Sequence, residues 1–322
     1  MQSMLGEPSA SRAIGIMYKL GMFSSIFRVN SNVSNCHNRN LGDENEGIQK
    51  NLSYGVAKSM VVSELCRLIC NDSRVSLTLH IHGNDARLLR MAALISYLAD
   101  LRFMHSRNMK KSISLSDYVL IEDLKFNKKD KNAVNTLIEA SKDFRIPVRK
   151  TINDSDDNGM TRLELGKAVR KAGPNYQYAL ALAIASEILE STQSILSLTE
   201  YSDIVDVIFS NFDCFCEYVA YNVNEKTTEF EHTVLRTISE RTEAGSTCFV
   251  DLVKLIQMYE IEDSWALKPL CDGNFITENF PDIPRSRLSG VMQLQIDWMI
   301  EYPSGTVTEL CQYIHEHFKD HI

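Results

Sequence analysis

Apolar residues recur at helical spacing through most of this chain, and a two-residue alternation of apolar and polar residues never persists. Thr306 and Glu309 have the S/T-x-x-E spacing of a capping box, which marks the start of a helix. The residues that follow place an apolar stripe on one face: Val307, Leu310, Cys311, Ile314 and Phe318. This pattern predicts an all-α fold, which we expect to be an elongated array of helices.

Helices are expected wherever this spacing continues, with turn or polar residues between them. The predicted helical segments are about 9–27 (two short helices around Gly21), 52–71, 84–105, 114–126, 127–144, 160–172, 175–191, 202–221, 227–241 and 247–260. The Asn-rich stretch 30–49 and the acidic stretch 151–159 are expected to be loops.

The composition indicates a soluble protein with reduced thiols. With 322 residues the chain is long enough for two or three compact units. Its 8 cysteines follow no repeating frame, and no secretory signal precedes them, so an intracellular location in the cytoplasm, nucleus or mitochondrion is expected. No apolar run is long enough to predict a membrane span.

Charge is distributed unevenly along the chain. The whole sequence has a net charge of −8, but residues 86–171 hold 18 Lys+Arg against 11 Asp+Glu. Such segregation favours a basic face that contacts phosphates, although a solvated helical surface without a partner explains the same counts.

Several short patterns could suggest a metal site, and each is incomplete. The stretch 154–159, DSDDNG, begins like a calcium loop, but the twelfth position is Leu165 rather than glutamate. Asp154 and Asp156 lack the strand and phosphate loop of a two-metal transferase. The remaining candidates also lack zinc-site spacing and fit buried or surface structural roles better: Cys66 with Cys70, Cys214 with Cys216, and His80 with His82. We therefore expect no metal or catalytic site in these residues.

Three stretches of the sequence, taken together, resemble the pattern of one known protein family. The first is MLGEPSASRAIGIMYKLGMFSSIF, with Met4, Leu5, Glu7-Pro8, Leu20, Phe23 and Phe27 in register. The second is TRLELGKAVRKAGPNYQYALALA, with Leu163, Gly166, Arg170, Tyr176, Ala179 and Leu180. The third is the tail, with Leu267 to Leu270, Asp272-Gly273, Trp298 and Tyr302 to Thr306. A further match is Asp123, Leu124 and Lys125 at the end of SLSDYVLIEDLKF.

In this order the stretches resemble the neck, body and tail of eukaryotic class II tRNA nucleotidyltransferases, the CCA-adding enzymes of the poly(A) polymerase/tRNA nucleotidyltransferase family. Two departures are a tyrosine at 176 in place of the usual tryptophan and PDIPRSRLSG at 281–290 in place of a Gly-Pro turn. The resemblance implies a neck at 1–30, an RNA-binding helical body at 31–222 and a helical tail at 223–322.

The resemblance also implies a function in maturation of the tRNA 3′ end. In that family Mg²⁺, CTP and ATP bind a catalytic head, whose motifs would precede residue 1 and are absent from these residues. We therefore expect no cofactor in this chain and no nucleotide transfer by the chain alone. The body and tail are expected to bind the acceptor stem and elbow of tRNA by shape and phosphate contacts.

The basic segment supplies the candidate RNA-binding residues. Four lie on the 160–172 helix: Arg162, Lys167, Arg170 and Lys171. Three more, ranked second because a run of lysines at a helix start can also serve only to solubilise it, lie at the start of the 127–144 helix: Lys128, Lys129 and Lys131. The alternative is a helical protein-interaction scaffold derived from the same family, with the acidic surface at 187–243 as its binding face. Local ion pairs, for example with Glu164, could also explain the cations, and would contribute about 0–1 kcal/mol each.

Overall fold

The computed structural model describes residues 4–6, 9–27, 44–71, 84–104, 112–152, 161–196, 201–211 and 228–318. Helix dominates these ranges, and the sheet they contain is one short antiparallel hairpin, so the expected all-α class is confirmed. Contacts divide the chain into two compact units: Met1–Ser155 with Gln177–Leu252, and Asp156–Tyr176 with Val253–Ile322. This division differs from the one expected from sequence, since residues 156–176 belong with the C-terminal residues.

The helices, in chain order, are α1 Ala10–Lys19, α2 Met22–Ile26, α3 Glu44–Asn71, α4 Asn84–Ile95, α5 Leu115–Tyr118, α6 Lys128–Ile152, α7 Arg162–Ala172, α8 Tyr176–Ile195, α9 Tyr201–Ser210, α10 Glu229–Met258, α11 Gly273–Asn279, α12 Leu288–Glu301 and α13 Val307–Phe318. The strands are β1 Arg102–Met104 and β2 Ser112–Ser114. Residues 1–3, 7–8, 28–43, 72–83, 105–111, 153–160, 197–200, 212–227 and 319–322 lie outside the described residues, and they include most of the two stretches, 30–49 and 151–159, that are expected to be loops.

The first unit is built around α3, which packs against α1, α4 and α9. The backbones of α3 and α4 come close together at Gly55 of α3, where a Cβ atom would lie 2.0 Å from the carbonyl oxygen of Leu94. Because a backbone atom cannot move aside as a side chain can, this contact requires glycine. Among the residues of the first stretch that resembles the family, Leu5, Phe23 and Phe27 are buried in the same unit. Leu20 of that stretch is exposed.

Several expected boundaries are wrong. The helix α3 begins at Glu44, inside the stretch 30–49 that was expected to be a loop, α6 continues to Ile152 instead of ending near 144, and α9 ends at Ser210 instead of near 221. The segments 227–241 and 247–260 form the single helix α10, because Gly245 is a packing residue and does not end the helix. A Cβ there would lie 2.7 Å from Cγ2 of Ile184 in α8. The helix expected over 84–105 ends at Ile95, and β1 pairs with β2 a few residues later, with Phe103 opposite Ile113.

The second unit has its own core beneath the tail-like residues. This core contains Cys271, Ile276, Val291, Trp298, Leu310 and Ile314. The fully buried Gln295 holds the connector to α12, since its side chain accepts a hydrogen bond from the Cys271 amide at 3.0 Å and donates to the Cys271 carbonyl at 3.2 Å. The predicted capping box of α13 is confirmed: the Glu309 carboxylate accepts a hydrogen bond from the Thr306 amide at 2.8 Å, and the Glu309 amide donates to the Thr306 hydroxyl at 3.4 Å.

Gly166 allows α7 to pack against α12 within the second unit. A Cβ at Gly166 would lie 2.3 Å from Cγ2 of the buried Ile300. Gly166→Ala should therefore destabilise the second unit by about 1–3 kcal/mol through overpacking, despite the better helix propensity of alanine. Both tryptophans of the chain, Trp265 and Trp298, lie in this unit, so urea denaturation followed by tryptophan fluorescence measures the effect.

Gly290→Ala is the matched control. Gly290 is also a helical glycine of the second unit, but nothing lies within 4 Å of a Cβ built there. The same change should stabilise the unit by up to about 1 kcal/mol at this position. Equal effects of the two substitutions would contradict the packing role given to Gly166.

Candidate nucleic-acid interface

Two of the predicted RNA-binding lysines project freely from the N-terminus of α6. Lys128 and Lys129 are exposed and form no ion pair with any described residue. Asn127 caps the helix by accepting a hydrogen bond from the amide of Asp130 at 2.8 Å. The nearby aspartate does not neutralise the lysines, because its carboxylate accepts from Arg87 at 2.5 Å. The lysine charges therefore add to the positive end of the helix dipole.

Lys131 is less available than its two neighbours. Its ammonium forms an ion pair with Asp117 at 3.0 Å, and its side chain is only 21% exposed. Lys125, just before α6, is 73% exposed and lies 3.7 Å from the Glu122 carboxylate. Lys125, Lys128 and Lys129 are thus exposed within five positions of one another in the chain, and we call them the α6 lysine cluster.

The two arginines predicted on α7 contact backbone rather than solvent. Arg162 donates to the carbonyl oxygens of Tyr259 and Ile300. Arg170 donates to the carbonyl oxygens of Ser264 at 2.9 Å and Leu267 at 3.0 Å. Carbonyls near helix ends lack intrahelical partners, and these guanidinium groups satisfy them. The geometry assigns both arginines a structural role, and contact with phosphate stays a prediction.

The two α7 lysines remain on the surface. Lys167 is 49% exposed, and its ammonium lies 2.8 Å from the Asp297 carboxylate. Lys171 is exposed at the C-terminal end of the helix. Of the four candidates on α7, these two are therefore the ones accessible to a phosphate. They belong to the second unit, whereas the α6 lysine cluster belongs to the first.

Several carboxylates of the acidic surface expected at 187–243 already accept hydrogen bonds from residues of the first unit. Glu187 accepts from Arg149 at 2.7 Å, and Glu190 pairs with both Arg149 and Arg145. Glu231 accepts from the Thr228 amide at 2.8 Å in a capping box, which lowers the pKa of its carboxyl. Residues 212–227 of this surface lie outside the described residues.

The described residues contain no group of three His, Cys, Asp or Glu side chains placed to hold a metal ion. Cys66 is buried, and burial raises the pKa of its thiol, as expected for a structural cysteine. The acidic loop 154–159, His80, His82, Cys214 and Cys216 lie outside the described residues. In the part of the chain that is described, no helix is long and apolar enough to cross a membrane.

Sequence reasoning missed two features. Lys58, on α3, is buried at 4% exposure, and among the described residues its ammonium donates only to the Ser96 hydroxyl, at 3.2 Å. A cleft also opens beside the tail-like turn from Tyr302 to Gly305. No sequence signal marks the burial of Lys58, because a lysine at the edge of an apolar helix face is usually exposed. The cleft could have been suspected from the clustering of Trp298, Glu301 and Tyr302.

Comparison of the chain with protein-family models, with curated proteins and with solved structures finds no match.

Proposed function

We propose that this chain binds tRNA, as the helical body and tail of a CCA-adding tRNA nucleotidyltransferase whose catalytic head is not part of these residues. In this proposal the chain contacts the acceptor stem and elbow of tRNA inside the cell, and Mg²⁺, CTP and ATP bind the head. The observation that best supports RNA binding is the α6 lysine cluster, where Lys128 and Lys129 are exposed at the positive end of a helix and form no ion pair with the residues that the structure describes. Lys167 and Lys171 provide a second, weaker set of contacts on α7.

The α6 lysine cluster is tested by filter binding of unmodified tRNA over a salt series from 50 to 200 mM. Each phosphate contact releases roughly one counterion. The slope of the logarithm of the binding constant against the logarithm of the salt concentration should therefore become less steep by about 1–2 in Lys128→Ala with Lys129→Ala. At 0.1 M salt, tRNA affinity should fall about tenfold or more, and different tRNA sequences should be affected equally.

The matched control removes two exposed lysines from the second unit, Lys254 and Lys268. Lys254→Ala with Lys268→Ala makes the same change in net charge and should leave the salt dependence nearly unchanged. Equal losses in the two double variants would mean that net charge alone attracts RNA, and would refute the cluster as a site. Arg162 and Arg170 are unsuitable for this test, because alanine there removes contacts to backbone carbonyls as well as charge.

A protein-interaction scaffold is the second candidate function. The observation that favours it is the cleft in the second unit, which is lined by aromatic and acidic side chains and is unsuited to phosphate. The filter-binding series also separates the two functions. If the parent protein retains no tRNA even at 50 mM salt, RNA binding is refuted and the scaffold becomes the better proposal.

A further inference from the structure

The second unit contains a cleft between the C-terminal end of α12 and the N-terminal end of α13. Its volume is about 470 Å³, which lies within the usual range of about 300–1,000 Å³ for small-ligand pockets. The residues that line it are Trp298, Glu301, Tyr302, Pro303, Ser304, Gly305 and Glu309. Neither the resemblance nor the proposed RNA contacts involve a ligand here.

Aromatic rings form one wall of the cleft, and the backbone turn that shapes it is fixed. The rings of Trp298 and Tyr302 lie 5.6 Å apart, and the Tyr302 side chain is 49% exposed. Gly305 packs on the Trp298 indole so closely that a Cβ atom would lie 2.0 Å from Cη2. The indole is itself only 4% exposed and packs in the core of the unit. The wall is therefore preorganised and presents an exposed tyrosine face to a ligand.

The electrostatics of the cleft favour a cation. Glu301 is exposed and forms no ion pair with any described residue, and Glu309 lines the same cleft. The cleft also lies at the negative end of the α12 dipole, and the last turn of α12 contains no basic side chain. At the N-terminus of α13 the Glu309 carboxylate already occupies the place that an anion would take, because it accepts from the Thr306 amide.

The surrounding sequence has the same sign of charge. Residues 253–318 hold 10 Asp+Glu against 4 Lys+Arg. A phosphate would meet two carboxylates in the cleft, whereas a guanidinium could contact a carboxylate and the face of Tyr302 together. Arginine and tyrosine are also the residues that contribute most at protein interfaces.

From the cleft geometry and these charges we propose that the cleft is a docking site for an arginine side chain of a partner protein. Glu301 provides the carboxylate for the guanidinium, Tyr302 provides the aromatic face, and Gly305 with Trp298 holds the turn in place. This site is independent of RNA binding and is present whether or not the α6 lysine cluster binds tRNA.

The test is NMR titration with the peptide acetyl-Gly-Arg-Gly-amide, followed through the indole N–H signals of ¹⁵N-labelled protein. The chain has two tryptophans, so Trp265→Phe leaves the Trp298 signal alone. The Arg peptide should shift this signal saturably with a millimolar Kd, and Glu301→Gln should weaken the binding at least fivefold. Glu301 is exposed and lies outside the buried core cluster of the unit, so this variant should fold normally.

Glu278→Gln is the charge-matched control, because Glu278 is an exposed glutamate of the same unit outside the cleft. It should leave the affinity for the Arg peptide unchanged. The proposal is overturned if acetyl-Gly-Leu-Gly-amide gives the same shift, or if Glu301→Gln and Glu278→Gln behave alike. It is also overturned if a tRNA acceptor-stem duplex shifts the Trp298 signal and the Arg peptide does not, since the surface would then recognise nucleic acid.

Discussion

Arg162→Ala is expected to lower the free energy of unfolding of the second unit by about 3–5 kcal/mol. The Arg162 guanidinium donates to the carbonyl oxygens of Tyr259, just after α10, and Ile300, in the last turn of α12. A hydrogen bond from a charged donor contributes about 1.5–3 kcal/mol, and alanine would leave both half-buried carbonyls without this donor. Urea denaturation followed by the fluorescence of Trp265 and Trp298 measures the loss in this unit.

Lys167→Ala is the control on the same helix. Lys167 is 49% exposed and pairs with Asp297, so its removal should cost only about 0–1 kcal/mol. If Arg162→Ala were no more destabilising than Lys167→Ala, the carbonyl contacts would have no structural importance. In that case Arg162 would return to the set of candidate phosphate contacts.

Lys58→Met is expected to stabilise the first unit at pH 6 by on the order of 3–5 kcal/mol. Burial, together with the nearby charges of Arg145 and Lys142, lowers the pKa of Lys58 from 10.5 to about 7, although Glu190 acts in the opposite direction. The ammonium has the Ser96 hydroxyl as hydrogen-bond acceptor and the Tyr54 ring at 5.5 Å, with no carboxylate of a described residue in ion-pair distance. A methionine fills a similar volume without a charge to bury.

The pH dependence of this effect has a definite sign. Below pH 7 the lysine is charged in both states, so the folded protein bears the full cost of burying the ammonium. Between pH 7 and 10.5 the unfolded chain binds more protons than the folded protein, and the contribution of Lys58 to stability therefore improves as the pH rises. The advantage of Lys58→Met should shrink over this interval and disappear above it.

The measurement is urea denaturation followed by far-UV circular dichroism at pH values from 6 to 10, comparing Lys58→Met with the parent. The quantity to compare is the difference in free energy of unfolding between the two proteins. Other groups change the stability of both proteins in the opposite direction over the same pH interval, and the difference removes their contribution. Burial raises the pKa of Tyr54 to about 12 and also raises the pKa of the Cys66 thiol, so the contributions of both groups to stability decline as they ionise in the unfolded chain. Lys129→Met, at an exposed lysine of the same unit, is the control and should change the free energy of unfolding by no more than about 0.5 kcal/mol at pH 6. A Lys58→Met advantage that did not shrink with pH would contradict this prediction.

The sequence predicted helix positions well where a chemical signal marks the helix start. The capping box at Thr306 and Glu309 forms as expected, and a second one forms at Thr161 and Glu164 at the start of α7. These signals are local, because the side chain and the amide that it caps are three residues apart. The break expected near Gly245 was wrong, since a glycine that ends a helix and one that admits a neighbouring helix look alike in sequence.

The sequence predicted the candidate site only in part. It proposed Lys128 and Lys129, at a helix start, as second-choice RNA contacts, and the structure shows that both side chains are exposed at the N-terminus of α6. It also grouped Arg162 and Arg170 with the surface lysines of α7, although both arginines turn toward carbonyls of residues about a hundred positions away in the chain. Some residues that carry the family resemblance, including Gly166, Arg170 and Gly305, prove to have packing roles in this unit.

The sequence by itself determined the all-α class, the start of α13 and the segregation of charge, because helical periodicity, capping and composition depend on residues close together in the chain. The tertiary structure alone decided which cations are buried and which are exposed. Lys58 is buried, and Arg162 is hydrogen-bonded to carbonyl oxygens of residues that are distant in sequence, whereas Lys167, on the same helix as Arg162, stays exposed. Burial and hydrogen bonding depend on these long-range contacts, so only the folded chain separates a structural charge from one that can bind a partner.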